Sequence, residues 1–380
     1  MPELDISQVD VLFTDGSYPI EMLLYYRNGL DSRIIREALK FLSQAFWPLC
    51  GEYTCGSIRF DGYSEEECFA EERCEEEFDT GATHANLYES YRRSNPNSMK
   101  KLFHIKILQY ENGTVLIPKM NHLAGDGYSY FYFLSALAAV SRGRRIPFRK
   151  QMVRYLIKPH HGRTRLREFT FREDVPRPLP DDRVYTIELE KIAKQAVQSS
   201  IEGVASRLDL RISANDILSS MAMKKTLKLQ NKLFGDQVQL TMPIDVRRRV
   251  PEYGRKFFGN GIMLKTVTFE TQEIVDSSVE DAAVAVRHSM PDVTRASFID
   301  YMKGLEATIA DKQYERLKPF DPDRGCLVTN ISRLPLDRLD FGTGRPDLVF
   351  PLTIEQNSVA ILSEKDNFVL RFAFSPIPSV

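Results

Sequence analysis

Apolar side chains recur at helical spacing early in the chain, at Ile34, Ile35, Ala38, Leu39, Phe41, Leu42, Ala45 and Phe46. The pattern predicts an amphipathic helix over 34–49 with its stripe on a core. Pro48 stops it and Gly51 offers a turn. Further on the period shortens. Residues 102–110 and 114–120 are two apolar runs separated by Glu111-Asn112-Gly113, and Asn-Gly between such runs predicts a β-hairpin. Tyr130, Phe131, Phe133, Leu134, Leu137 and Ala138 then fit a buried helix packed on the same sheet.

The second half repeats the mixture. Strand-like runs fall at 184–189, 238–242, 262–269, 326–329, 358–362 and 368–374. Helical patterns cover 217–229, with Ser213 as a suitable N-cap, and 279–289 and 298–316. Between the halves the composition changes. Residues 142–172 are rich in Arg and Lys, and Pro176-Arg177-Pro178-Leu179-Pro180 follows, which suits an interdomain linker. We therefore expect two α/β units, 1–175 and 176–380. The acidic stretch 65–77 reads as a solvated helix or loop.

A chain of 380 residues is long for one core, and 43% hydrophobic with 27% charged residues is a globular composition. The net charge of −1 argues against a general nucleic-acid binder. Five cysteines, odd in number and without zinc-like spacing, read as reduced thiols of a cytoplasmic protein. Neither a signal peptide nor a membrane span is visible. His160-His161 lacks a spaced carboxylate or cysteine, so no metal site is expected.

The candidate chemistry lies where the hairpin ends, at His122-Leu123-Ala124-Gly125-Asp126-Gly127. Imidazole titrates nearest neutrality and can accept a proton at working pH. Gly127 permits a backbone shape that a side chain would obstruct. Taken alone, the motif is equally compatible with a strand-end turn shaped by Asp126 and Gly127.

Other segments extend the pattern. Asp340-Phe341-Gly342-Thr343-Gly344 lies near the C-terminus. Between it and His122 come Pro243-Ile244-Asp245-Val246-Arg247-Arg248-Arg249-Val250-Pro251 and Phe257-Phe258-Gly259-Asn260. Weaker echoes are Trp47-Pro48-Leu49-Cys50-Gly51 and residues 212–218. In their order along the chain these resemble the signatures of the BAHD acyl-CoA-dependent acyltransferases. That family is grouped with chloramphenicol acetyltransferase and peptide-synthetase condensation domains. Thr343 departs from the family's tryptophan, and the chain is somewhat short for the family, so donor-side packing and acceptor-side loops are expected to differ.

The resemblance implies two domains of like fold, each a mixed sheet flanked by helices, with an active-site channel between them. It implies His122 as general base in transfer from acyl-CoA to a small-molecule alcohol or amine, with no permanently bound cofactor. Asp126 becomes an anchor, salt-bridged to Arg247 of the second domain, and Thr329 lies where the family has a hydroxyl-bearing strand suited to an oxyanion donor. For Asn260 a functional and a turn-forming reading both stand, while Asp340, Gly342 and Gly344 take structural roles. The basic stretch 142–172 suits CoA phosphates or an acidic carrier protein, or is only a solvated linker. Two alternatives to the CoA-dependent enzyme are an acyltransferase fed by an acyl-carrier protein and a catalytically silent binding protein of the same fold.

Overall fold

The computed structural model describes residues 2–16, 18–96, 100–143, 166, 169–171, 185–230, 235–254, 257–290, 292–353 and 355–374. The proline-rich linker, His160-His161 and nearly all of the basic stretch lie outside them. In the N-terminal half the strands are β1 (Glu3–Ser7), β2 (Ile20–Tyr26), β3 (Glu52–Thr54), β4 (Ser57–Arg59), β5 (Phe69–Arg73), β6 (Phe103–Tyr110), β7 (Gly113–Met120) and β8 (Thr170–Phe171). In the C-terminal half they are β9 (Thr186–Ala193), β10 (Gln237–Asp245), β11 (Ile262–Glu270), β12 (Gly325–Asn330), β13 (Leu348–Pro351), β14 (Ser358–Ser363) and β15 (Asn367–Phe374).

Among the described residues the strands form three sheets, in the orders β3-β4-β1-β8, β13-β2-β7-β6-β5 and β11-β10-β12-β14-β15-β9. The last two mix parallel and antiparallel pairs and carry helices, as the α/β expectation requires. The predicted hairpin is β6–β7, closed by Glu111-Asn112, with Tyr110 opposite Gly113. Gly113 is therefore the first strand residue and not a turn centre. A Cβ there would lie 2.5 Å from the Tyr26 carbonyl oxygen and 2.8 Å from the Tyr25 ring, so only glycine lets β2 and β7 close up.

One core lies over the N-terminal sheet and includes Leu39, Phe103, Tyr130, Phe133 and Leu134. The C-terminal core, with Leu218, Met223, Leu240, Val328, Ile361 and Phe372, is built entirely from residues beyond 190. The partition is not strict along the chain. Val246, Phe258, Phe298 and Phe341 join the first core, and β13 pairs antiparallel with β2 through Phe350–Leu23 and Val349–Leu24.

Local expectations changed at two places. The first of the expected helices is Ser32–Leu42, capped by Asp31 accepting the Arg33 N–H, and the chain then turns into a short 3-10 segment at Trp47–Cys50. Phe41 is consequently 55% exposed, off the core stripe. The acidic stretch is helical at Glu65–Cys68, as expected, but residues 69–73 are neither helix nor loop: they form the edge strand β5, parallel to β6, with Phe69 buried and the glutamates outward. The outer face is balanced by Lys106–Glu72 at 2.7 Å and Arg36–Glu71 at 3.0 Å.

Candidate active site

Strand β7 ends at Met120, and the chain enters a single 3-10 turn at His122–Ala124 before the helix Gly127–Arg142. Asn121 caps the turn, its side-chain oxygen accepting the Leu123 N–H at 3.0 Å. Asp126 caps the helix by accepting the Ser129 N–H at 3.0 Å. His122 is thus fixed between two caps at the end of a buried strand.

The Phe13 ring stacks on the imidazole, with centroids 3.8 Å apart and planes 22° apart. Nδ1 is buried and makes no hydrogen bond. Burial pushes the His122 pKa down to about 4, while Asp126, Asn260 and Asp10, which favour the charged ring, do not offset it. The ring is therefore a neutral imidazole at pH 7.

Asp126 does not point at the reaction space as a second base. Its Oδ2 accepts from Arg247 Nη1 at 2.8 Å and the Gly261 N–H at 2.9 Å, and its Oδ1 accepts from Arg247 Nη2 at 2.9 Å as well as from Ser129. Burial works to raise its pKa, but the Arg247 charge and these donors prevail and hold it below the ordinary carboxylate value. Arg247 is itself buried and gives further hydrogen bonds to the carbonyls of Phe257 and Gly259 and to Ser129 Oγ. Its guanidinium also lies 4.5 Å from the centre of the Tyr128 ring. A bidentate pair with this many donors satisfied meets the geometric requirement for a buried ion pair.

Asn260 Nδ2 donates to the His122 carbonyl at 2.8 Å and to Asp10 Oδ1 at 2.9 Å, tying the histidine turn to the segment after β1. Gly127 behaves differently from expectation. It opens the helix, and a Cβ there would meet nothing within 4 Å, so no side-chain obstruction explains it. The crowded glycines are its neighbours in space. A Cβ on Gly125 would lie 2.8 Å from Ser129 Cβ, and one on Gly261 would lie 2.7 Å from the Arg247 guanidinium carbon.

His122, Asp126, Gly127, Arg247 and Thr329 all line one cavity of about 390 Å³ between the two larger sheets. Phe13, Ile20, Met22 and Phe131 form its N-terminal wall, and Ile262, Leu264, Leu327 and Ala360 face them. Asp340, Gly342 and Gly344 do not line it. Asp340 Oδ1 instead accepts the N–H groups of Gly342 and Gly344 at 2.8 and 3.0 Å, in a loop where both glycines have positive φ. Arg142, at the end of the helix that starts beside His122, bonds the Asp340 carbonyl. Among the described residues no cluster of three His, Cys, Asp or Glu side chains is arranged to hold a metal. None of the five cysteines forms a disulfide, and no described helix is long and apolar enough to cross a membrane.

Phe13, Asp10, Ser129, Gly125 and Gly261 are the site-building residues that sequence reading missed. Each acts by contact with a segment distant in the chain or by small size, and neither property leaves a local pattern.

Two mixed sheets facing each other across a histidine-bearing cavity define the chloramphenicol-acetyltransferase-like class of fold. Solved structures agree on this fold. TRI101 of F. sporotrichioides, complexed with coenzyme A and T-2, superposes with a TM-score of 0.73 at 14% identity, covering 98% of this chain and 95% of that one. Vinorine synthase gives 0.70 at 18% identity, covering 99% and 90%. The first condensation domain of the CDA synthetase gives 0.59 at 13% identity, covering 98% and 90%. A family model described as "Transferase family" matches residues 76–367, and the chain belongs to that family, the BAHD acyltransferases. Among curated relatives, the omega-hydroxypalmitate O-feruloyl transferase of Arabidopsis thaliana is 27% identical over 66% of this chain, and the match spans only 55% of that protein's length. A hydroxycinnamoyltransferase of Narcissus pseudonarcissus is 24% identical over 87% of this chain and 81% of its own length.

Proposed function

We propose that the protein transfers an acyl group from a CoA thioester to a hydroxyl or amine of a small molecule, with His122 as general base. The observation that carries this reading is a neutral imidazole, wedged against Phe13 and fixed by Asn260, on the wall of a cavity between two sheets. With Nδ1 buried, Nε2 is the nitrogen that takes the acceptor's proton. The acceptor oxygen or nitrogen then bonds to the thioester carbonyl carbon, the C–S bond breaks, and the imidazolium returns its proton to the departing thiolate. Holding both substrates in one cavity supplies the proximity part of the rate.

Thr329, on the opposite wall, is proposed to donate its hydroxyl to the tetrahedral oxyanion. Asp126 and Arg247 hold the histidine loop, and Asn260 holds the turn itself. We keep 1–175 and 176–380 as the proposed division of the chain, with the first core completed by side chains from beyond residue 245 and β13 lent across. Unpaired thiols throughout support a cytoplasmic setting. Relatives named for O-feruloyl transfer and for piperamide synthesis support an acceptor that is either a hydroxyl or an amine. The condensation-domain likeness concerns the fold alone, so we take CoA and not a carrier protein as the donor's handle.

The test is thiol release from a panel of acyl-CoA donors with hydroxyl and amine acceptors, corrected for hydrolysis. His122→Ala is expected to lose roughly 10²–10⁴-fold in kcat/KM with unchanged melting. Near-full activity in that variant would remove His122 from its role.

A further inference from the structure

Arg371 takes no part in the chemistry above, yet it lines the same cavity. On β15 it sits opposite Ala360 of β14, and Ala360 sits opposite Thr329 of β12. Cross-strand partners present their side chains to the same face, so Thr329, Ala360 and Arg371 form one row along the cavity wall. Two inter-strand spacings separate its ends, about 10 Å. The alanine keeps the middle of the row low.

The arginine at the far end lacks a counter-charge. It is 3% exposed, and its Nη1 donates to the Thr353 carbonyl at 3.1 Å. Nε and Nη2 are buried with no hydrogen-bond partner. The guanidinium lies 4.8 Å from the centre of the Phe350 ring. No described carboxylate comes within ion-pair distance of it, although four line the cavity, of which Asp126 and Asp245 pair with Arg247. Glu21 is engaged by Asn95 Nδ2 at 2.7 Å and by Lys119 at 3.8 Å, and Glu355 accepts from the Tyr18 N–H and the Tyr185 hydroxyl, both at 3.5 Å. Burial pushes the Arg371 pKa down to about 9, as expected for a cation shut away without an anion. Arginine offers a fork of N–H donors matched to a carboxylate, and here three of its five N–H groups have nothing to bond.

We infer that Arg371 is an anion-recognition residue and that one of the two substrates carries a carboxylate, seated at the Arg371 end of the row when its reacting group is near Thr329. Engaging it takes a rotation of this long side chain off Phe350 toward Ala360. The inference rests on the acyl-transfer reading for the word "substrate", but the anion site itself does not.

Two measurements separate them. Calorimetric binding, without donor, compares 4-hydroxybenzoate and 3-hydroxybutyrate with their methyl esters. Thiol release compares the same pairs as acceptors, and succinyl-CoA with butyryl-CoA as donors, which tells an acceptor carboxylate from an acyl one. Wild type is expected to favour the acid member of at least one pair by roughly 10–100-fold, the strength of a hydrogen-bonded charge pair. In Arg371→Met the preference should fall to about one, while Arg371→Lys should retain part of it. Should Arg371→Met melt early, Ala360→Phe, which blocks the row without removing the cation, is expected to abolish the same preference. Equal handling of acid and neutral members by wild type, or a preference that survives Arg371→Met, overturns the inference. Acid-selective binding with no thiol release from any donor would instead overturn the acyl-transfer reading and leave the anion site standing.

Discussion

A histidine held at about 4 is a weak base that stays neutral through the whole physiological range. The acid limb of kcat/KM is accordingly expected near pH 4 and not near 6.5. The sign for stability follows from proton binding. Folded His122 binds fewer protons than the unfolded residue, so its contribution is complete above the unfolded value of 6.5 and is lost as pH falls toward 4. His104, pushed down to about 4 first by burial and then by Lys106 and Lys119, acts in the same direction. A pH–rate profile with denaturant midpoints between pH 7 and 4 checks both, and a rate limb at 6.5 would contradict the neutral ring. At this scale the sequence was partly readable. His122 and Asp126 stand four residues apart and announce a loop, and Arg247 was reachable only through the resemblance. Gly127 drew notice because it follows the aspartate, whereas the glycines of the site that leave no room for a side chain are Gly125 and Gly261. Their crowding comes from Ser129 and Arg247 and is set by how the chain folds, not by any repeating pattern of residue types.

Elements were legible where a long period repeats. The β6–β7 hairpin, the helix after His122 and the strands of the C-terminal sheet fall close to their expected places, since burial on one face imposes a pattern over many residues. Short or edge elements were not. β5 buries chiefly Phe69 and so reads as solvated acid, and four-residue β13 is too brief to show alternation. Packing between strands is also hidden from periodicity, as Gly325 illustrates. It pairs with Gln239 where β12 joins β10 in parallel, and a Cβ there would fall 1.8 Å from the Gln239 carbonyl oxygen. Gly325→Ala is therefore expected to cost about 1–3 kcal/mol or more as the two strands are forced apart. Urea unfolding measures it, and an unchanged midpoint would show that the strands yield.

Across the whole molecule, Arg247 is the bolt between the segment after β10 and the histidine loop. It emerges after β10 of the C-terminal sheet and closes on Asp126, the cap of the helix that carries the histidine loop. Arg247→Ala would strand a buried carboxylate, at roughly 3–5 kcal/mol, and should lower the denaturant midpoint and thiol release together. Activity loss with an unchanged midpoint would assign the arginine to substrate instead.

The pairing of β13 with β2 has a consequence for how the chain is made. At typical ribosomal rates the interval between synthesis of residue 26 and of residue 351 is on the order of tens of seconds. Throughout it, one margin of β2, with Leu23 and Leu24 among its residues, has not met the segment that will finally cover it. A nascent chain in that condition offers an open ladder of backbone donors and acceptors to any passing strand. The N-terminal sheet is completed only once β13 has been made, so this margin stays open to a holding chaperone until that strand arrives.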